Sequence, residues 1–368
     1  MKPAVREFIM SEAMHALGVP TTRCLAVVTT GESVYRQTST AGAVVTRVAS
    51  SHIRVGTFEY FAAKQMTAEI KVLADLTLAR HFPEIDQSDD SKYFDLLSQV
   101  IDNQIILTTE WMRIGFIHGV MNTDNTLLSG ETIDYGPCAM MGIYDPATVF
   151  SSIDRNGRYA YGNQAKIAQW NMTRLAERLL TLIHGDEKQA IDLVMPLLQE
   201  FPEKYKQAFN HMMANKLGFQ QASTEVTKLQ QSLLDLMFKY KLDYTQTFVQ
   251  LQNTLASAET DQVLAHETFN SNLGNLNIGD WHQIWTSLLQ QAKIKSDDAK
   301  QLMGQHNPLV IPRNHHVEQV LEQVESDLSA AAVKPFLTVL QSPYSPTKNT
   351  RLYQDANDDL NYQTFCGT

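Results

Sequence analysis

His118-Gly-Val-Met-Asn-Thr-Asp-Asn125, followed shortly by Thr132-Ile-Asp134-Tyr-Gly136, is the stretch on which the reading of this chain turns. Asn, Asp, Gly and Thr crowd here between short apolar pairs, as in loops joined by a small hairpin. An Asn carboxamide on one loop and a carboxylate just past a hairpin can converge on one wall. Together they offer oxygen ligands to Mg²⁺, a hard cation that bridges phosphates. The same residues also suit an Asx-rich turn with Asp134 as its cap, and the pattern alone leaves both open.

The spacing adds information. His118 and Asn125 stand as His and Asn do in the protein-kinase catalytic loop H-R-D-x-x-x-x-N, and Asp134-Tyr-Gly136 stands where D-F-G follows. Two positions depart from that pattern. Gly119 replaces the Arg, and Val120 occupies the place of the catalytic Asp, where it cannot accept a proton. An ordinary phosphotransferase is therefore disfavoured. Asp124, immediately before Asn125, is the carboxylate best placed by sequence to orient or deprotonate an acceptor hydroxyl.

Upstream, Val5, Phe8, Ile9, Ala13 and Leu17 recur at helical steps that Gly18 and Pro20 end. Leu25 to Thr30, a Gly31-Glu32 turn, Val34 to Gln37 and Ala43 to Val48 predict two or three antiparallel strands. From Thr57 the pattern is helical, with a long apolar helix over Tyr93–Gly115. Helical periodicity returns from Asn163 to about Leu255, with breaks expected near Gly185-Asp186, Pro202 and Gly218. Two further helices are expected around Trp281–Lys293 and His316–Leu340, then an irregular tail from Ser342.

The chain has 368 residues and a formal charge of −10, which argues against nucleic acid or an anionic membrane as partner. Residues 1–64 nevertheless carry seven basic against four acidic side chains. That patch suits a small anionic ligand. Three scattered cysteines (Cys24, Cys138 and Cys366) form no CxxC pattern, so neither a zinc site nor a disulfide framework is expected. No apolar run approaches the ~20 residues that cross a bilayer. A cytoplasmic protein is the expectation. His15, His52, Trp281, Trp285 and the Met140-Met141 pair read as structural.

Longer runs carry a resemblance. Ser11–Thr22, Ser51–Tyr60, His118–Asn125, Thr132–Pro137, Gly157-Arg-Tyr159 and Trp170-Asn171 resemble the SelO (selenoprotein O) family, densely over residues 4–182 and more loosely beyond. The resemblance implies an α+β, protein-kinase-like (pseudokinase) two-lobed fold that binds ATP in a flipped orientation. It would transfer AMP to Ser, Thr or Tyr hydroxyls of target proteins, with Mg²⁺ or Mn²⁺ as cofactor. By position, Asp124 matches the proton acceptor and Asn125 and Asp134 match the metal ligands. Arg47 and Arg54 match the nucleotide-contacting arginines, and Glu7 matches a helix glutamate that pairs with a strand lysine. From the residues alone, Arg47 and Arg54 could equally be a solvated strand end or partners of Glu59.

The family's glycine-rich loop and that lysine would lie upstream of the helix carrying Glu7, and Lys2 is too near to replace it. The expectation is therefore an N-terminally truncated member with its N-lobe largely missing. Residues 1–56 would be the N-lobe remnant and 57–182 a C-lobe with the catalytic and metal-binding loops. Residues 183–341 would be a helical extension and 342–368 an irregular tail. A catalytically inactive remnant that acts by binding proteins is the alternative. A regulatory disulfide of some bacterial members would join a cysteine after the DYG to one near the C-terminus. Cys366 fits the second position, but Phe150 occupies the first, so that clamp is not expected.

Overall fold

Val5, Ile9, Met10, Ala13, Met14 and Leu17 fall on one helical stripe, and helix α1 (Lys2–Ala16) buries it, as its periodicity requires. The computed structural model describes residues 1–35, 39–255, 279–355 and 362–365. Strands β1 (Arg23–Tyr35) and β2 (Ser39–Val48) form one antiparallel hairpin, with Cys24 opposite Arg47 and Tyr35 opposite Ser39. The expected Gly31-Glu32 turn is not a turn. The strand runs through it with a register shift between Thr29 and Ser33, and Gly31 takes the irregularity at φ 75°. Gln37, expected in a strand, lies outside the described residues. Val27, Ala41 and Ala43 pack against the core, whereas Leu25, Val28 and Val44 on the hairpin are exposed.

The centre is helical. Helices α2 (Val55–Ala63), α3 (Thr67–His81), α4 (Lys92–Ile114) and α5 (Gln164–Ile183) follow, and α4 ends where Gly115 adopts φ 75°. Between α4 and α5 lies a second small sheet of two short strands, β3 (Phe116–Ile117) and β4 (Ala139–Met140). This pairing brackets residues 118–138 and returns both ends of that loop system to the end of α4. The remaining helices are α6 (Glu187–Lys216), α7 (Thr224–Tyr240), α8 (Tyr244–Thr254), α9 (Gly279–Gln291), α10 (Ser296–His306), α11 (Asn314–Asp327) and α12 (Val333–Leu340). The whole is α+β, mostly helical, with two small sheets among the described residues. No helix among them is long and apolar enough to cross a membrane.

Three expectations need correction. The helix does not break at Pro202; α6 continues through both Pro196 and Pro202. Pro202 has no N–H to give the Leu198 carbonyl one turn back, and the Gln169 Nε2 of α5 donates to that oxygen at 2.8 Å instead. The expected helix over His316–Leu340 is two, because Leu328 turns left-handed at φ 49°. Helix α10 was not foreseen.

Two apolar clusters form the interior. One joins α1 to α2–α5, the start of α6, α11 and α12; the other joins the end of α6 to α7–α10. Lys2, too near Glu7 in sequence to partner it, pairs with Glu325 of α11 instead.

Candidate active site

Asn125 closes a 3₁₀ turn over Thr123–Asn125, and its side chain reaches across to the second loop. Its Nδ2 donates to Asp134 Oδ2 at 2.9 Å and to the Val120 carbonyl at 3.0 Å. With both amide protons used, Asn125 keeps Oδ1 and Asp134 its other carboxylate oxygen for a further ligand. That set fits a divalent cation held by one carboxylate, one carboxamide and substrate phosphates, the usual manner for Mg²⁺. Among the described residues no three His, Cys, Asp or Glu side chains cluster to hold a metal, and this donor set does not call for such a cage. Asp134 sits at φ 69°. A left-handed non-glycine residue costs about 1–3 kcal/mol and persists only where its surroundings fix it.

Those surroundings are visible. Tyr135 N–H donates to Glu7 Oε2 at 2.8 Å, and the Tyr135 hydroxyl meets Thr21 Oγ1. Thr132 N–H donates to the Pro20 carbonyl at 2.9 Å, while Thr22 N–H returns a bond to Thr132. On the other loop, the buried ring of His118 bonds the Ile133 carbonyl through Nε2 at 2.9 Å, and its backbone N–H donates to Gln164 Oε1. Burial lowers the His118 pKa and Asp134 partly opposes this. Gly119, at φ 85°, explains one departure from the kinase pattern. A Cβ there would lie 2.3 Å from the Pro137 carbonyl, so no arginine fits.

Asp124 is exposed and rests on the start of α2. A Cβ on Gly56 would come within 2.0 Å of Asp124 Oδ1, so the carboxylate occupies space that only glycine leaves. Thr123 Oγ1 donates to Glu59 of the same helix, and the buried Asn171 of α5 donates to the Met121 carbonyl and Thr126 Oγ1. Residues 53–55 zip onto residues 126–128 by backbone bonds, Val55 N–H to Thr126 and Leu128 N–H to Ile53. Arg54 therefore sits beside the loop, and among the described residues no carboxylate pairs with its guanidinium.

Arg47 is engaged differently. Its Nε and Nη2 both donate to Glu7 Oε1, at 2.8 and 2.5 Å. Glu7 thus links β2, α1 and the backbone of Tyr135. Neither arginine meets Glu59. All six candidates (Glu7, Arg47, Arg54, Asp124, Asn125 and Asp134) surround the same pair of loops. The space left by Gly56, the bond of Thr123 to Glu59, His118's partner Gln164 and the loop-holding role of Asn171 were not anticipated. Ser51–Tyr60 and Trp170-Asn171 nevertheless stood among the matching runs, and Glu59 had been considered only as a partner of the arginines.

The family model described as protein adenylyltransferase SelO matches residues 1–341. The chain belongs to the SelO family. A protein nucleotidyltransferase YdiU of Teredinibacter turnerae is 48% identical over the whole of this chain, which spans 74% of that relative. Those of Halalkalibacterium halodurans and Brevibacillus brevis are 46% and 48% identical over the whole chain, which spans 73% and 72% of them. By family, then, this SelO chain is a nucleotidyltransferase.

Phe150 stands at the first position of the family's regulatory disulfide, which was not expected here. Cys366 lies outside the described residues. Phe150 accepts a backbone bond from Thr364 at 2.8 Å and meets the Tyr362 ring, so the tail docks there by hydrogen bonds and packing. Cys138 is fully buried, and burial pushes its thiol up to about 12 against the opposing pull of Arg6. It is a structural thiol.

Proposed function

We propose that this chain transfers AMP from ATP to Ser, Thr or Tyr hydroxyls of proteins, within a kinase-like arrangement whose phosphotransfer base is absent. The observation that carries this reading is the Asn125–Asp134 pair beside Asp124, with buried Val120 where a kinase would place its base. Asn125 and Asp134 would hold Mg²⁺ or Mn²⁺, which when bound would neutralise phosphate charge. Arg54 supplies an unpaired guanidinium for a bidentate phosphate contact. Arg47 would reach the nucleotide only by sharing itself with Glu7. Asp124, exposed and lying in the space that Gly56 leaves open, accepts the proton of the acceptor hydroxyl as it attacks the α-phosphorus and pyrophosphate leaves.

The competing reading, a catalytically inactive protein-binding chain, draws on the exposed Leu25, Val28 and Val44 of the hairpin. One experiment separates the two. Protein should acquire label from ATP carrying radiolabel at the α-phosphate and none from ATP labelled at the γ-phosphate. Label from the γ-phosphate would make it a kinase; label from neither would favour the inactive reading.

A further inference from the structure

Beside the catalytic loop lies a face that none of the roles above uses. Residues 155–178 hold five basic side chains (Arg155, Arg158, Lys166, Arg174 and Arg178) against one carboxylate, Glu177, in a chain of net charge −10. The guanidinium of Arg158 lies 4.7 Å from the centre of the Trp170 ring and that of Arg174 lies 5.5 Å from it. Trp170 is 39% exposed, and Ile153 nearby in sequence is 60% exposed.

The local carboxylates form no ion pair with Arg155 or Arg158 among the described residues, and five basic side chains outnumber Asp154 and Glu177. Both oxygens of Asp154 are taken by backbone N–H groups, those of Arg158 and Tyr159, at 2.9 and 2.7 Å. Glu177 is shared between Arg174 and Arg178. Among the described residues, no carboxylate pairs with the exposed Arg155 or Arg158. The face is also tied to the reacting loop. Asn171, next to Trp170, holds the Met121 carbonyl and Thr126 on either side of Asp124.

We propose that this face docks an acidic segment of the acceptor protein, Trp170 supplying a rigid apolar anchor and Arg155 and Arg158 the countercharge. Aromatic and arginine side chains together are the usual anchors of such contacts, and unpaired cations steer an acidic partner. The proposal rests on the adenylyl-transfer reading only for the identity of the partner as acceptor; docking itself can be measured without catalysis.

Trp111, Trp281 and Trp285 are 3%, 5% and 0% exposed, so acrylamide quenching of native fluorescence reports chiefly on Trp170. The probes are two serine-containing peptides of equal length, one rich in Asp and Glu and its Lys-substituted counterpart, with oligothymidylate as a third. The acidic peptide should shield Trp170. Raising salt to ~0.15 M should weaken it, and Arg158→Glu, at an exposed position, should weaken it about tenfold. Equal shielding by the Lys-rich peptide, or none by the acidic one, overturns the proposal. Stronger shielding by oligothymidylate also overturns it and assigns the face to nucleic acid. AMP transfer to the same peptides, followed in parallel, keeps the two readings apart. Docking without transfer removes the proposed function and leaves this surface standing; transfer indifferent to peptide charge does the reverse.

Discussion

At the scale of single residues, the proposed site would divide its work between groups that hold and a group that reacts. Asp134 is locked by Asn125, by its left-handed backbone and by the Glu7 bond to the next amide. Asp124 touches none of these; its carboxylate lies in the space that the missing side chain of Gly56 leaves open. The two carboxylates should therefore fail differently. Asp134→Ala should abolish Mg²⁺-dependent ATP binding in calorimetry, because it removes a proposed ligand of the cation that would neutralise phosphate charge. Asp124→Ala should retain binding and lose AMP transfer by about 10²-fold or more, the scale of general-base catalysis. Gly56→Ala should resemble Asp124→Ala, since its methyl group displaces the carboxylate while leaving Asn125 and Asp134 alone. Equal loss of binding in all three variants would refute this division.

At the scale of elements, the sequence was readable wherever a helix buries a stripe and carries a stop signal. The first helix and the long helix ended by Gly115 show both, and Asp186 caps the start of α6 at an expected break. The break between α7 and α8, where Lys241 turns left-handed, was not foreseen. Helix α10 has a stop signal in Asn307-Pro308 but almost no stripe: it buries only Ala299 and Met303 in an otherwise polar run. The break at Leu328 lacks a Gly or Pro to announce it. The pairing of Asn125 with Asp134 was legible because a known loop spacing encodes it. The Glu7–Arg47 pair was not, because it joins a helix to a strand 40 residues away and only tertiary structure unites them. Pro202 misled for a definite reason. Its missing donor is replaced by Gln169, a residue on another helix that local sequence cannot reveal. Gln169→Leu should accordingly destabilise the protein by about 1 kcal/mol, the net worth of a hydrogen bond. In a Pro202→Ala background the helix supplies its own N–H to Leu198, so the Gln169→Leu penalty should shrink towards zero. A double-mutant cycle by urea unfolding measures this, and purely additive effects would disprove the replacement.

At the scale of the molecule, the two apolar clusters meet around a buried lysine. Lys216, at the end of α6, is fully buried, donates through Nζ to the Arg113 carbonyl at 2.9 Å, and lies over the Phe248 ring at 4.0 Å. Arg113 in turn bonds Leu17, Tyr344 and Glu110, so this junction ties α1, α4, α6 and the segment after α12 together. Among the described residues, no carboxylate pairs with Lys216 itself. Burial holds its pKa well below the usual 10.5, and the neighbouring Arg113 charge pushes the same way. The sign of the consequence follows from proton counting. Between the depressed folded pKa and 10.5, the unfolded chain binds a proton that the folded chain does not. Stability contributed here is therefore complete only above 10.5, and is lost progressively as pH falls towards the folded value. Lys216→Met keeps the packing against Phe248 and removes the titration. The stability of Lys216→Met relative to the parent should thus rise as pH is lowered below 10.5, until the depressed folded pKa is passed. Comparing the two proteins cancels the separate effect of buried tyrosines such as Tyr135 and Tyr161. Their pKa values are raised by burial, and they cost stability in both proteins once pH exceeds the ordinary tyrosine value. Thermal unfolding of both proteins across that range is the measurement. A difference that does not change with pH would mean that Lys216 stays protonated inside the fold, its charge carried by the Arg113 carbonyl and the faces of Phe248 and Tyr244.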